Sequence, residues 1–174
     1  MRMRLLFRII LSLPATACGI AALAQDIPWN PDATEACLTS SSDTSEREAC
    51  IGRSADTCID TPDGYTTVGM SFCLGKEAQY WDARLNLAYK DLLAFETSID
   101  AELAELGSAA PSMSKALREM QRAWITYRDT TCAYEASQFG GGTGSGPAAA
   151  QCVMRLTGAQ ALELEAWLAQ KSAQ

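Results

Sequence analysis

Apolar residues recur at three- and four-residue steps through most of this chain, and no segment alternates apolar with polar residues as a half-buried strand does. The pattern predicts an all-α domain, a small helical bundle with one long helix and a glycine-rich interhelical loop. After an extended leader from Gln25 to Pro31, a short helix spans about Ala33 to Leu38 and gives way to the serine run Ser40-Ser41-Ser42. Asp43 with Glu46 three residues on makes a capping box. From it a helix runs to about Cys58 before Thr61-Pro62-Asp63-Gly64 turns the chain. Thr66 or Thr67 caps the next and longest helix, which carries Trp81, Leu85, Tyr89, Leu92 and Leu93 to about Leu106, where Gly107 stops it. Pro111 opens another, with Leu117, Met120, Trp124, Ile125, Tyr127 and Ala133 at helical steps until Gly140-Gly141-Gly142 ends it. The last helix begins near Pro147 and keeps Val153, Leu156, Ala159, Leu162 and Ala166 on one face.

The first residues depart from this pattern. Arg2, Arg4 and Arg8 precede an apolar stretch through Leu23, and Ala22-Leu23-Ala24 supplies the small residues a signal peptidase needs. Residues 1–24 therefore read as a signal peptide cleaved after Ala24, which places the mature chain in the periplasm or outside the cell. Pro14 and Gly19 interrupt the apolar run, which falls short of a membrane span of about 20 residues, and no other segment comes close. A competing reading makes Cys18 a lipid-modified cysteine, since small residues surround it in Thr16-Ala17-Cys18-Gly19. Ala15, however, stands where lipoprotein signals usually carry a leucine.

Composition then narrows the function. The chain has 174 residues, 48% of them hydrophobic, enough for the core of one domain. Its formal charge is -7, from 14 basic and 21 acidic residues; cleavage removes three arginines and no acid, leaving 11 against 21 and a charge of -10. Nucleic acid and anionic lipid both require clustered Lys and Arg, so a cationic partner is the better electrostatic match. The absence of histidine excludes Ser-His-Asp and Cys-His nucleophile systems, imidazole acid-base chemistry and His-containing zinc sites. No cofactor is implied.

Cleavage also removes Cys18, leaving Cys37, Cys50, Cys58, Cys73, Cys132 and Cys152. An even set in an exported chain is most simply a disulfide framework. One scheme is economical: Cys37 and Cys50 flank the serine turn, Cys58 and Cys73 the Pro-Asp-Gly turn, and Cys132 and Cys152 the glycine loop. Each bridge would then fasten two consecutive helices. Sequence alone leaves other pairings open, as well as metal ligation or reactive thiols. Metal is disfavoured because no close Cys-x-x-Cys pair occurs.

Two constellations could carry chemistry. On the long helix Asp82, Leu85, Asn86 and Tyr89 share a face, and on the helix after Pro111 Gln121, Trp124, Ile125, Arg128 and Cys132 do so. The two faces are expected to meet as a hydrogen-bonded interhelical core in which Asp82 and Arg128 need each other or an equivalent partner. The alternative is a polar ligand pocket or a catalytic carboxylate. The second constellation is Phe139-Gly140-Gly141-Gly142-Thr143-Gly144-Ser145-Gly146. It lacks Gly-Lys-Ser/Thr and follows a helix rather than a strand, so phosphate binding is a weak reading. It is either a flexible connector or a loop that enters a partner's cleft, with Asp129 and Glu135 as nearby contacts. A Cys132–Cys152 bridge would hold both its ends and reduce the ordering cost of binding.

Cys73 followed by Trp81-Asp82-x-x-Leu85-Asn86-x-x-Tyr89, then Gln121-Arg122-Ala123-Trp124-x-x-Tyr127-Arg128-Asp129-x-x-Cys132, resembles the LprI-like lysozyme-inhibitor family over about residues 58–168. The second block is the more specific, and the glycine loop and Cys152 continue the match. The resemblance implies an exported helical domain over residues 58–174 in which Cys58 pairs with Cys73 and Cys132 with Cys152. Residues 25–57 stand before it as an N-terminal helical extension, whose Cys37–Cys50 bridge rests on spacing alone. The resemblance also implies a binding protein rather than an enzyme, with a cationic peptidoglycan-cleaving lysozyme as partner. Two other classes are weighed against it. One is a periplasmic structural or adaptor protein that binds another envelope protein without inhibiting lysozyme. The other is a glycosidase with paired carboxylates, disfavoured because the strongest carboxylate candidates share their faces with an arginine.

Overall fold

The computed structural model describes residues 27–173; the expected signal peptide and Cys18 lie outside them. Among the described residues there are six helices and no strand: α1 (Asp32–Ser40), α2 (Thr44–Glu48), α3 (Arg53–Ile59), α4 (Thr67–Glu105), α5 (Met113–Ser137) and α6 (Ser145–Ser172). The chain is an all-α, disulfide-stapled bundle with one long helix. At 39 residues, α4 is about 58 Å long for a rise of 1.5 Å per residue. It is the spine on which α6 lies most extensively, while α5 packs chiefly on α6 and α3 on the beginning of α4.

Local chemistry sets the helix ends. Thr66 Oγ1 accepts the Gly69 N–H at 2.9 Å and starts α4. Past its other end Gly107 takes a φ of +67°, the left-handed conformation that ends a helix with little strain in glycine. Ser112 Oγ accepts the Lys115 N–H at 3.2 Å, so α5 starts just after Pro111. Trp81, Leu85, Ala88 and Leu92 form the buried stripe of α4 and meet Leu117 of α5 and Met154, Ala161, Leu162 and Leu164 of α6. Glu165 clamps the outside: Arg84 donates to both its oxygens at 2.8 Å, and Arg47 Nη2 lies 2.9 Å from Oε2.

The N-terminal part corrects one expectation. Instead of one helix from Asp43 to Cys58, the chain makes α2 and α3 with a break at Gly52, whose φ is +103°. The capping chemistry is present: Asp43 Oδ1 accepts the Glu46 N–H at 2.9 Å, and Glu46 Oε2 accepts the Ser42 N–H at 2.7 Å. What divides the helix lies outside it, because the Gly52 N–H is directed to a carboxylate of α4. The disulfides join Cys37 to Cys50, Cys58 to Cys73 and Cys132 to Cys152, with Cα separations of 5.5, 5.7 and 5.3 Å. The second ties α3 to α4 and the third ties α5 to α6.

Candidate functional site

The glycine segment is shorter as a loop than its sequence implies. Ser145 and Gly146 already belong to α6, which starts before Pro147, so residues 138–144 make the connection. It is a chain of tight turns. The Gly140 N–H bonds to the Ser137 carbonyl at 3.1 Å, the Gly142 N–H to the Phe139 carbonyl at 2.8 Å, and the Ser145 N–H to the Gly142 carbonyl at 3.1 Å. Gly140 and Gly141 adopt φ of +57° and +79°, which a residue with a Cβ would resist. The Phe139 ring folds back on Gly144, where a Cβ would fall 2.6 Å from Phe139 Cδ1. The result is a compact knuckle with a half-exposed aromatic ring, braced below by Cys132–Cys152.

Beside it lies a groove of about 650 Å³ between α5 and α6, lined by Tyr134, Glu135, Gln138, Phe139 and Gln151. Tyr134 is 68% exposed and, with Phe139, puts two aromatic rings at the surface of this groove. The start of α4 closes the same end of the bundle, since a Cβ on Gly146 would lie 3.0 Å from Ser71 Oγ. There Tyr65 and Val68 are exposed and the Phe72 ring carries the Lys76 ammonium 5.5 Å from its centroid. The two acids expected to attract a partner are already paired within the chain: Arg155 Nη2 is 2.8 Å from Glu135 Oε1, and Arg128 Nη2 is 2.8 Å from Asp129 Oδ1. Both pairs are solvent-exposed on the carboxylate side, so they are cheap to exchange for another cation.

The expected interhelical core needs correction at five positions. Trp81 and Leu85 are buried, Gln121 is buried and accepts from Gln160 Nε2 at 3.2 Å, and Tyr89 and Trp124 pack against the core. Asp82, Asn86, Ile125 and Tyr127, by contrast, face solvent. Asp82 and Arg128 do not pair: Asp82 Oδ2 accepts from Asn86 Nδ2 at 2.9 Å, and Arg128 binds Asp129 and stacks over Trp124 with 5.0 Å to the ring centroid. The reason is helical phase. Once Trp81, Leu85 and Ala88 define the inward stripe, Asp82 and Asn86 are each turned by about 100° away from it. Asp82 and Arg128 instead stand on the edges of a shallow groove of about 520 Å³ floored by Ala78, Ala150 and Val153.

The carboxylate that organises the interior is Glu77, outside both constellations expected from the sequence. Glu77 is 0% exposed on α4. Its Oε1 accepts from Thr34 Oγ1 at 2.9 Å, the Gly52 N–H at 2.7 Å and Trp81 Nε1 at 3.1 Å, while Oε2 accepts the Ala55 N–H at 2.6 Å. Four donors satisfy it without a cation. Two are N–H groups at the start of α3, so Glu77 caps that helix from a neighbouring one and meets the positive end of its dipole. Thr34 and Ser54 lock the same corner by exchanging backbone-to-hydroxyl bonds of 3.0 Å in both directions. The charge is felt nearby: the Asp56 carboxyl is pushed up, first by burial and then by Glu77. Glu77 was findable, since an acid four residues before Trp81 sits on the apolar stripe rather than beside it.

Asp100 repeats the device at the other end of α4. Its carboxylate accepts from Ser112 Oγ at 2.6 Å and from the N–H groups of Met113 and Ser114 at 2.8 and 3.0 Å, capping α5. These bonds, that of Ser112 first, hold its carboxyl far below the ordinary aspartate range. Neither carboxylate is placed as an acid-base catalyst, because each is occupied by backbone and hydroxyl donors. Among the described residues, no three His, Cys, Asp or Glu side chains are grouped to hold a metal ion, and no helix is long and apolar enough to cross a membrane.

Residues 58–164 match the sequence profile of the family described as lysozyme inhibitor LprI, well over half of the chain. The chain is also similar to an uncharacterised protein of Rhizobium meliloti, 30% identical over 96 residues that span 55% of this chain and 69% of that protein. An uncharacterised 17.7 kDa protein of Rhodobacter capsulatus is 25% identical over 134 residues, 76% of this chain and 83% of its own length. No solved structure matches the sequence significantly.

Proposed function

The chain belongs to the LprI lysozyme-inhibitor family, and from that premise we propose that it is an exported protein of the cell envelope that binds a cationic peptidoglycan-cleaving lysozyme and blocks its cleft. Residues 58–174 form the inhibitory domain in this reading, and residues 25–57 are an added brace. Family membership and three disulfides are consistent with a protein that works outside the cytoplasm. The acidic balance supports the choice of partner, since a chain of charge -7 before processing steers a basic protein toward itself in a salt-dependent way.

The observation that carries the proposal is the knuckle at residues 138–144. It projects a half-exposed Phe139 beside the exposed Tyr134 while a disulfide and a run of turn hydrogen bonds hold its backbone. A preformed aromatic projection enters a concave site with little ordering cost. Glu135 and Asp129 exchange their internal arginines for basic groups of the lysozyme at the rim. Asp129 stands about 15 Å back along α5, so it meets a different part of the partner surface from Phe139.

The test is a turbidity assay in which purified mature protein is added to lysozyme on a cell-wall suspension. Wild type slows clearing, and Tyr134→Ser with Phe139→Ser restores most of it. Binding without any slowing of clearing would move the protein to the adaptor class, with another envelope protein as partner.

A further inference from the structure

The groove between α5 and α6 beside the knuckle carries polar groups that the encounter with lysozyme leaves without a role. At about 650 Å³ it falls within the range of about 300–1,000 Å³ usual for ligand sites. The exposed Tyr134 and half-exposed Phe139 present their rings to it, and Thr131, Glu135, Gln138 and Gln151 line it as well. Gln138 and Gln151 are exposed, and their side-chain amides make no hydrogen bond among the described residues. Arg155 Nη2 occupies Glu135 Oε1 and balances its charge, while the Glu135 side chain stays 36% exposed and keeps acceptor capacity.

This combination selects a neutral polyol with an apolar face. The face of an aromatic ring is electron-rich and attracts weakly positive C–H groups, which a pyranose ring displays on its faces while its hydroxyls surround the edge. A hydroxyl both donates and accepts, and so does a primary amide, so Gln138 and Gln151 meet it in either sense. The carboxylate discriminates further. A sugar O–H donates to Glu135, whereas a proline-rich peptide, the other usual occupant of an aromatic groove, has no N–H at its prolines to offer. We propose that this groove binds a neutral oligosaccharide, with pyranose faces on Tyr134 and Phe139 and hydroxyls on Gln138, Gln151 and Glu135. The site stands without lysozyme as a partner. A saccharide and a lysozyme that both cover these rings exclude each other.

The test titrates the folded wild-type protein with cellotriose and with triacetylchitotriose, two neutral probes that differ in their acetamido groups, and follows amide NMR with no lysozyme present. At least one gives saturable shifts centred on residues 131–139 and 148–151. Sorbitol, which has the hydroxyls but no ring face, gives none. Tyr134→Ala, at an exposed position, weakens binding about three- to tenfold at unchanged helicity, as for loss of one stacking contact. Equal shifts with sorbitol, binding indifferent to Tyr134→Ala, or no shift with either trisaccharide up to its solubility limit would overturn the proposal. So would a proline-rich peptide that shifts these residues when the sugars do not, which would give the groove to a polypeptide. Because lysozyme is absent, a failure here leaves inhibition untouched, and a failure of inhibition leaves this result standing.

Discussion

The two ends of the bundle are built on different principles. At the knuckle end, disulfides tie α3 to α4 and α5 to α6, and a buried Glu77 gathers α1, α3 and α4 around one carboxylate. At the far end no disulfide occurs among the described residues. Besides the apolar packing of Leu92, Leu117 and Trp167, Asp100 fastens the junction of α4 with α5, and Glu96 with Lys171 that of α4 with α6. The contrast teaches where rigidity is placed. Covalent links and a solvent-excluded carboxylate support the end that displays Phe139 and Tyr134, while the opposite end is held by apolar packing and non-covalent polar contacts. With no covalent link among the described residues, the far end is expected to open locally before the knuckle end does.

The largest way to break this contrast is Glu77→Ala. Four buried donors, two of them backbone N–H groups, would lose their acceptor together, and a loss of about 4 kcal/mol or more is expected. Urea denaturation measures it, and α1 to α3 should detach first as seen by hydrogen exchange. A loss below about 1 kcal/mol would mean that water replaces the carboxylate, contrary to its burial. Next in size is removal of the Cys132–Cys152 bridge by paired Cys→Ala changes, worth about 3 kcal/mol in the chain-entropy model. The distinguishing result is local: protection should fall at the end of α5 and the start of α6 more than at residues 92–117.

The smallest effect, and the one that sharpens the comparison most, comes from pH. Asp100 has its folded-state value depressed below the ordinary 3.8, so its contribution is complete above that value and is lost as pH falls through the folded one. Acidification below 3.8 should therefore weaken the first turn of α5 progressively, ahead of the knuckle end, and the cap itself should open only at strongly acid pH, below the folded-state value. The Met113 and Ser114 amide resonances report it directly. Asp100→Asn should abolish that selective acid response while weakening the turn at every pH. An acid response that begins at residues 132–152 would reverse the assignment of the two ends.

Much of the architecture was legible in the sequence, and the gaps share a cause. Helical spacing located α4, α5 and α6 because each buries a stripe long enough for the 3.6-residue period to declare itself. Thr66, Gly107 and the residues around Pro111 marked their ends through capping chemistry confined to a few consecutive positions. The break at Gly52 was not legible, since the residues around it continue a helical pattern and the acceptor that pulls its N–H aside lies 25 positions later. Asp100 was hidden in the same way, being a cap supplied by a different helix. Asp82 and Arg128 do come to one groove but do not form the expected core pair, because the α4 face through Asp82 and Asn86 lies one position off the true inward stripe. The carboxylates that organise the protein, Glu77 and Glu96, stand on that stripe; an acid in phase with the apolar residues was the available signal.

Inhibition itself is the most direct test of the central claim that the knuckle end is the working surface. Lysozyme activity on a cell-wall suspension, measured against rising concentrations of mature wild type and of Tyr134→Ser/Phe139→Ser at low and at physiological salt, contains every required comparison. The account predicts inhibition by wild type that weakens as salt rises, and a loss of at least about tenfold in the double variant at equal folded stability, as for removal of two exposed aromatic anchors. Full inhibition by the double variant would contradict it.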